Sequence, residues 1–184
     1  MALKLAKVVF GALGAAALIV MALPPDLPPP SNNYTFAPMI SMDMVSANSS
    51  HQGASLVYSE EQVNSYIASN LRRKDSPASQ GYFPLRRVLV RFEEGQCAIN
   101  AERQLLGYAI YSGSTYRVKI DNGKIASTTI SGYIGRMPIH PAVMKYADIL
   151  LKKAWDSLAR ERNSVAKLAS IEFHPQSVTL VAAR

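Results

Sequence analysis

Tyr116-Arg117-Val118-Lys119-Ile120-Asp121-Asn122-Gly123-Lys124-Ile125 is the stretch that decides the fold. Tyr116, Val118 and Ile120 alternate with Arg117 and Lys119, the period of a strand with one dry and one wet face. Asn122-Gly123 tolerates the positive φ of a tight hairpin, so the chain reverses there and returns along residues 125–133, rich in Thr and Ser. The same alternation appears upstream. Val88, Val90 and Phe92 point one way, and Arg87, Leu89 and Arg91 the other. Glu93-Glu94-Gly95-Gln96 turns the chain, and Cys97, Ile99 and Ala101 alternate in the next run. That run continues to Tyr111 with a break near Gly107 and ends in a turn at Ser112-Gly113-Ser114. Four such runs predict an antiparallel meander.

Helical signals flank the meander. Ser59-Glu60-Glu61-Gln62 is a capping box, in which the Ser hydroxyl accepts from the backbone N–H of Gln62 and the Gln side chain reaches back. Val63, Tyr66, Ile67 and Leu71 follow at helical spacing, which predicts a helix over 60–73. Downstream, Gly135-Arg136-Met137-Pro138-Ile139-His140-Pro141 is expected to break the sheet, with Pro141 opening a helix at a position where its missing N–H costs nothing. A long helix is predicted over 141–162, with Val143, Tyr146, Leu150, Leu151, Ala154 and Leu158 apolar and Ala147 and Trp155 widening the stripe. Two strands, 166–173 and 176–182, close the chain. The fold class is therefore α+β: one curved antiparallel sheet, a four-strand meander plus two C-terminal strands, packed on the long C-terminal helix.

The first residues have another character. Lys4 and Lys7 precede sixteen uncharged residues, Val8–Leu23, and counting from Leu5 gives nineteen. A bilayer-spanning helix needs ~17–25 apolar residues, and Lys7 can snorkel. The segment is apolar all round, unlike a core helix, so residues 1–23 read as a transmembrane signal anchor. A cleaved signal peptide is the alternative, with Ala22 at the cleavage position, although the prolines behind it suit a peptidase poorly. No Lys or Arg follows Lys7 until Arg72, so the positive-inside rule keeps the N-terminus cytoplasmic. Both readings export the rest. The expected location is the cytoplasmic membrane, single-pass, with the C-terminal domain periplasmic. Pro24-Pro25-Asp26-Leu27-Pro28-Pro29-Pro30 opens a semi-rigid linker over 24–55. Within it Tyr34–Val45 is apolar enough for a short edge strand, and Ser46–Ser55 is expected to be disordered. The extracytoplasmic domain is placed at 56–184.

The opening helix Tyr58-Ser59-Glu60-Glu61-Gln62-Val63-Asn64-Ser65-Tyr66-Ile67, the Asp121-Asn122-Gly123-Lys124 hairpin and the Gly135-to-Pro141 entry into a long helix, all behind a signal anchor, resemble small bacterial membrane-anchored envelope proteins of the TULIP-like (tubular lipid-binding) group. The resemblance covers the layout of residues 57–182. It implies a curved sheet folded around a long helix, an apolar groove for lipid tails and no catalytic residues. This chain offers one sheet-and-helix unit, so a closed tube would require a homodimer or an envelope protein partner. In such a groove Val88, Val90, Phe92, Tyr146, Leu150 and Trp155 would line the ligand, and Arg86, Arg87, Lys152 and Lys153 would meet headgroups. The same residues can equally form a solid core and a solvated face.

Charge and composition exclude several classes. The formal charge is +7, and +5 without residues 1–23, so an anionic membrane surface or wall polymer suits the exported domain; no nucleic-acid partner is expected there. Cys97 is the only cysteine, which rules out an intrachain disulfide; it reads as a small core residue. His51, His140 and His174 show no ligand spacing, and no metal or other cofactor is expected. Ser164-Val165-Ala166-Lys167 matches Ser-x-x-Lys but lacks the companion motifs of that enzyme class. Glu93 and Glu94 are neighbours on a turn rather than facing carboxylates. The expectation is a non-enzymatic protein that binds lipid or another apolar ligand. The alternative is an envelope scaffold that docks other proteins.

Overall fold

The computed structural model describes residues 2–27, 39–49, 54–71, 84–121, 124–144 and 159–182. In chain order the elements are α1 (Ala2–Ala22), α2 (Ile40–Ser49), β1 (Ser55–Ser59), α3 (Glu60–Leu71), β2 (Leu85–Glu93), β3 (Gln96–Leu105), β4 (Tyr108–Asp121), β5 (Lys124–Ile134), β6 (Met137–Ile139), α4 (Ala159–Val165), β7 (Leu168–His174) and β8 (Ser177–Ala182). The α+β class holds. The single sheet does not: the strands form a five-stranded meander in the order β2-β3-β4-β5-β6 and a separate three-stranded sheet in the order β1-β8-β7.

The edges of the meander account for the division. At one edge β6 has three residues and carries Pro138, too short and too poor in donors to template another strand. At the other edge β2 is occupied. Asn64 of α3 clamps Val90 with its side-chain amide, donating to the Val90 carbonyl at 2.9 Å and accepting from the Val90 N–H at 2.7 Å. Glu60 accepts from the Phe92 N–H at 2.9 Å. Side chains thus take the place of a pairing strand. The β7–β8 hairpin pairs instead with β1, in the register Tyr58↔Val178. Two bonds suture the sheets, from the Gly95 N–H to the Phe173 carbonyl at 3.0 Å and from the Gln176 N–H to the Phe92 carbonyl at 3.3 Å.

The helix α3 starts as its sequence requires. The Gln62 N–H donates to Ser59 Oγ at 3.2 Å, and the Ser59 N–H to Gln62 Oε1 at 2.9 Å. Ile67 is buried, and Val63, Tyr66 and Leu71 pack against the core beside it. Residues 40–49 are helical rather than an edge strand or disordered. Ile40, Met44 and Ala47 recur at helical spacing and are buried, and Tyr58 on β1 donates to Asp43 at 3.0 Å. The core therefore reaches back into the stretch read as linker.

The turn expected at Ser112–Ser114 lies instead at Leu106-Gly107, both with positive φ, and β4 runs straight through residues 112–114. Gly113 serves close packing: Tyr133 crosses it to donate to Asn100, and a Cβ there would meet the ring. The Gly135–Pro141 stretch turns at Gly135-Arg136 and adds β6. Residues 141–144 and 159–165 are helical; the rest of the expected long helix, with Tyr146, Leu150, Lys152, Lys153 and Trp155, lies outside the described residues. Of the predicted stripe Val143 is exposed, while Met144 is buried over Gly132, which has no Cβ to obstruct it.

The helix α1 leaves the domain rather than entering its core. Phe10 is 75% exposed, and Val9, Leu13, Leu18 and Ile19 are also exposed. Side chains in α1 are described from Val9 to Ala22, fourteen residues. Among the described residues no helix is long and apolar enough to cross a membrane.

Candidate functional site

The dry face of the meander is the surface on which the expected ligand residues sit. Register fixes its rows. Val88 faces Ala101, Val90 faces Ile99 and Phe92 faces Cys97. Cys97 continues to Tyr116, and Ile99 to Ser114 and Gly132. Along β4 and β5 the same face carries Val118, Ile120 and Ile125, and it ends on Ile134, Met137 and Ile139.

This face has two halves. On β2 and β3, Val88, Val90, Phe92, Cys97 and Ala101 are buried, with Ile99 partly so, and together with Tyr116 of β4 they belong to one cluster with Leu168, Phe173, Val178 and Leu180 of the smaller sheet. Phe92 stacks on Phe173 with ring centroids 5.6 Å apart and 29° between planes. Burial alone pushes the Cys97 thiol up to about 12, so it stays protonated and inert. On β4–β6 the apolar residues Val118, Ile120, Ile125, Ile134, Met137 and Ile139 are only half-buried, and Ile130 is exposed. Ser114 lies near the boundary between the halves. Its side chain is 1% exposed, and among the described residues its Oγ has no hydrogen-bond partner. A buried hydroxyl left unpaired costs ~1–3 kcal/mol.

Of the expected ligand-lining residues, then, Val88, Val90 and Phe92 come together in the closed half. Tyr146, Leu150 and Trp155 lie outside the described residues. Of the expected headgroup cations, Arg86 is exposed and donates through Nε to Gln104 at 2.8 Å, and Arg87 pairs with Glu102 at 3.2 Å on the wet face. Lys152 and Lys153 lie outside the described residues. Sequence reasoning missed the half-buried strip on β4–β6 as a surface, although its alternation was visible. It also missed Asn64 and Glu60, polar residues on the inner side of α3 whose use depends on β2 arriving beside them.

A concavity of about 730 Å³ opens at the end of β2, between Asp26, Leu27, Glu60, Arg91, Phe92, Glu93, Glu94, Pro175 and Gln176. Four of its nine lining residues, Asp26, Glu60, Glu93 and Glu94, are carboxylates. Glu60 is already engaged by the Phe92 N–H, and Glu94 lies 3.7 Å from His174 Nδ1. His140 accepts from the Ala142 N–H at 3.2 Å, a local cap of the helical turn that follows. Among the described residues no three His, Cys, Asp or Glu side chains are grouped to hold a metal ion. Lys167 is exposed on the turn after α4, where its N–H donates to the Ser164 carbonyl at 3.2 Å. No protein-family model matches the chain, and no curated protein matches it.

Proposed function

We propose that this chain is a membrane-anchored, extracytoplasmic, non-enzymatic protein that binds lipid or another apolar ligand against the β4–β6 half of its dry face. The observation that carries the reading is the half-buried strip Val118, Ile120, Ile125, Ile134, Met137 and Ile139, continuous with a closed core yet short of closure itself. Each such side chain gains roughly 1.5–3 kcal/mol on full burial, so an acyl chain laid along the strip would recover part of that from every row. Support for the anchor comes from the sequence of residues 5–23 and from the exposure of Val9, Phe10, Leu13, Leu18 and Ile19 along α1.

The envelope scaffold is the second reading. It is favoured by the solid packing of Val88, Val90 and Phe92, which leaves no room for a ligand at that half. Native mass spectrometry of the full chain released from detergent micelles separates the two. Lipid binding predicts one lipid retained per chain and lost on Ile125→Asp, with the circular-dichroism melt preserved. A chain that sheds every lipid under conditions that keep it folded would sink the lipid reading and leave the scaffold.

A further inference from the structure

One end of the meander collects four features that the dry face does not explain. The β5–β6 turn there receives the C-terminal end of α1. The Arg136 N–H donates to the Val20 carbonyl at 2.9 Å, and Arg136 Nε to the Pro24 carbonyl at 2.8 Å. Arg136 Nη2 lies 3.3 Å from the Asp26 carboxylate. Gly135, with φ of 59°, sits so close to the Met21 carbonyl that any Cβ would collide with it. The junction between α1 and the domain is thus a fitted contact.

The β3–β4 hairpin projects beyond this junction. Ser112 pairs with Ile134, the last residue of β5, while Leu105 pairs with Tyr108. The Gly135 N–H still donates to the Tyr111 carbonyl at 2.8 Å, so Tyr108–Ile110 extends past this edge, and at ~3.4 Å per residue this is roughly 10 Å of overhang. At the tip, Leu106 and Gly107 have φ of 50° and 89°. Two successive positive φ values suit Asn-Gly, not Leu, whose Cβ crowds its own carbonyl there. Leu106 is 89% exposed and Tyr108 79% exposed. A leucine held in a disfavoured conformation and given no packing contributes nothing to this fold. Arg86 is exposed at the same end, because its neighbour Leu85 pairs with Arg103, close to the β3–β4 turn.

An apolar tip, a tyrosine just behind it and a cation at the rim is the order of groups at a membrane–water interface. We infer that the β3–β4 tip, Leu106 to Tyr108, dips into the interfacial layer of the membrane that α1 enters, giving the domain a second point of contact and holding it upright on its anchor. This rests on the anchored reading of α1, and its test separates the two.

The full chain is placed in vesicles of phosphatidylcholine and phosphatidylglycerol with an environment-sensitive fluorophore at one engineered cysteine. The probe sits at Leu106→Cys, at Phe10→Cys in the anchor, or at Ala126→Cys at the opposite end of the sheet. Buried Cys97 stays unlabelled in the folded protein. The expected result is quenching by nitroxide lipids at positions 10 and 106, with shielding from aqueous iodide, and the reverse at position 126. Lipid quenching at 10 with iodide quenching at 106 would overturn the dipping tip and leave the anchor standing. Iodide quenching at 10 would remove the anchor, and the tip with it. Leu106→Asn supplies a second readout. It suits the left-handed turn and should raise the Tm, while a probe at Tyr108→Cys beside it loses most of its lipid quenching. If that quenching persists, Leu106 is not the inserting group.

Discussion

The β2–β3 half and the β4–β6 half of the dry face are written in one alphabet and end in different states. Val88, Val90 and Phe92 alternate with Arg87, Leu89 and Arg91 much as Val118 and Ile120 alternate with Arg117 and Lys119. The first set is sealed beneath the smaller sheet, and the second is half-covered. Alternation states which side of a strand is dry; it does not state what lies on top. The cover on β2–β3 is identifiable. Phe173, Val178 and Leu180 come from a hairpin that could not extend the meander, because α3 had taken the β2 edge. Blocking an edge thus sent a hairpin over a face, and the closed half is its consequence.

The comparison breaks most easily at its two ends. Phe92→Ala removes a buried ring stacked on Phe173 and should cost about 3–5 kcal/mol in urea unfolding. Ile125→Ala, in the open half, should cost less, about 1–2 kcal/mol, because that side chain is only partly buried. Equal losses would mean that the halves do not differ in cover. Asn64→Ala tests the origin of the difference. It strands the N–H and carbonyl of Val90 at a part-buried edge, for about 1–3 kcal/mol, and frees that edge for pairing. Concentration-dependent dimerisation by analytical ultracentrifugation should accompany the lost stability. A variant as stable and as monomeric as the parent would show that Asn64 does not guard the edge.

The pattern of legibility follows the same division between local and tertiary causes. The α3 start, the β2 alternation, the reversal between Asp121 and Lys124 and the C-terminal hairpin could be read because each is a local device: a cap, a period, a turn. The second sheet could not be read. Ser55–Ser59 is five residues long, and its partner β8 lies far along the chain. Ser112-Gly113-Ser114 looked like a turn because glycine marks both turns and close approaches, and only Tyr133, two strands from Asn100, decides between them. The β4 and β5 part of the strip was legible as strands, β6 was not because residues 135–141 read as a sheet breaker, and none of it was legible as a surface. Gly107 marked a break in the run but not a hairpin, since leucine is a poor choice for the positive φ that Leu106 adopts; that misfit is what makes the tip worth testing.

The smallest expected effect concerns thiols and probes cover without deleting it. Cys97 lies in the closed half, where burial pushes its thiol up from an ordinary 9.0 to about 12. A cysteine at Ile125, in the open half, would keep enough solvent to ionise near the ordinary value. At pH 8 a disulfide reagent should therefore label Ile125→Cys within minutes and leave Cys97 untouched until the chain unfolds. The same burial has a consequence for stability. A folded-state pKa raised above the unfolded one means that between pH 9.0 and about 12 the unfolded chain has released a proton that the folded chain keeps. Stability from this group is then complete below pH 9.0 and declines as pH rises toward 12. Tyr58, raised first by burial and then by its bond to Asp43, and Tyr133, raised by burial, act in the same direction above their ordinary 10.0. Melts should hold level up to about pH 9 and fall beyond it. In Cys97→Ala the decline should begin about a unit higher, where the tyrosines take over. If the decline starts at the same pH with and without the thiol, Cys97 is not sealed, and the closed half is more open than its packing indicates.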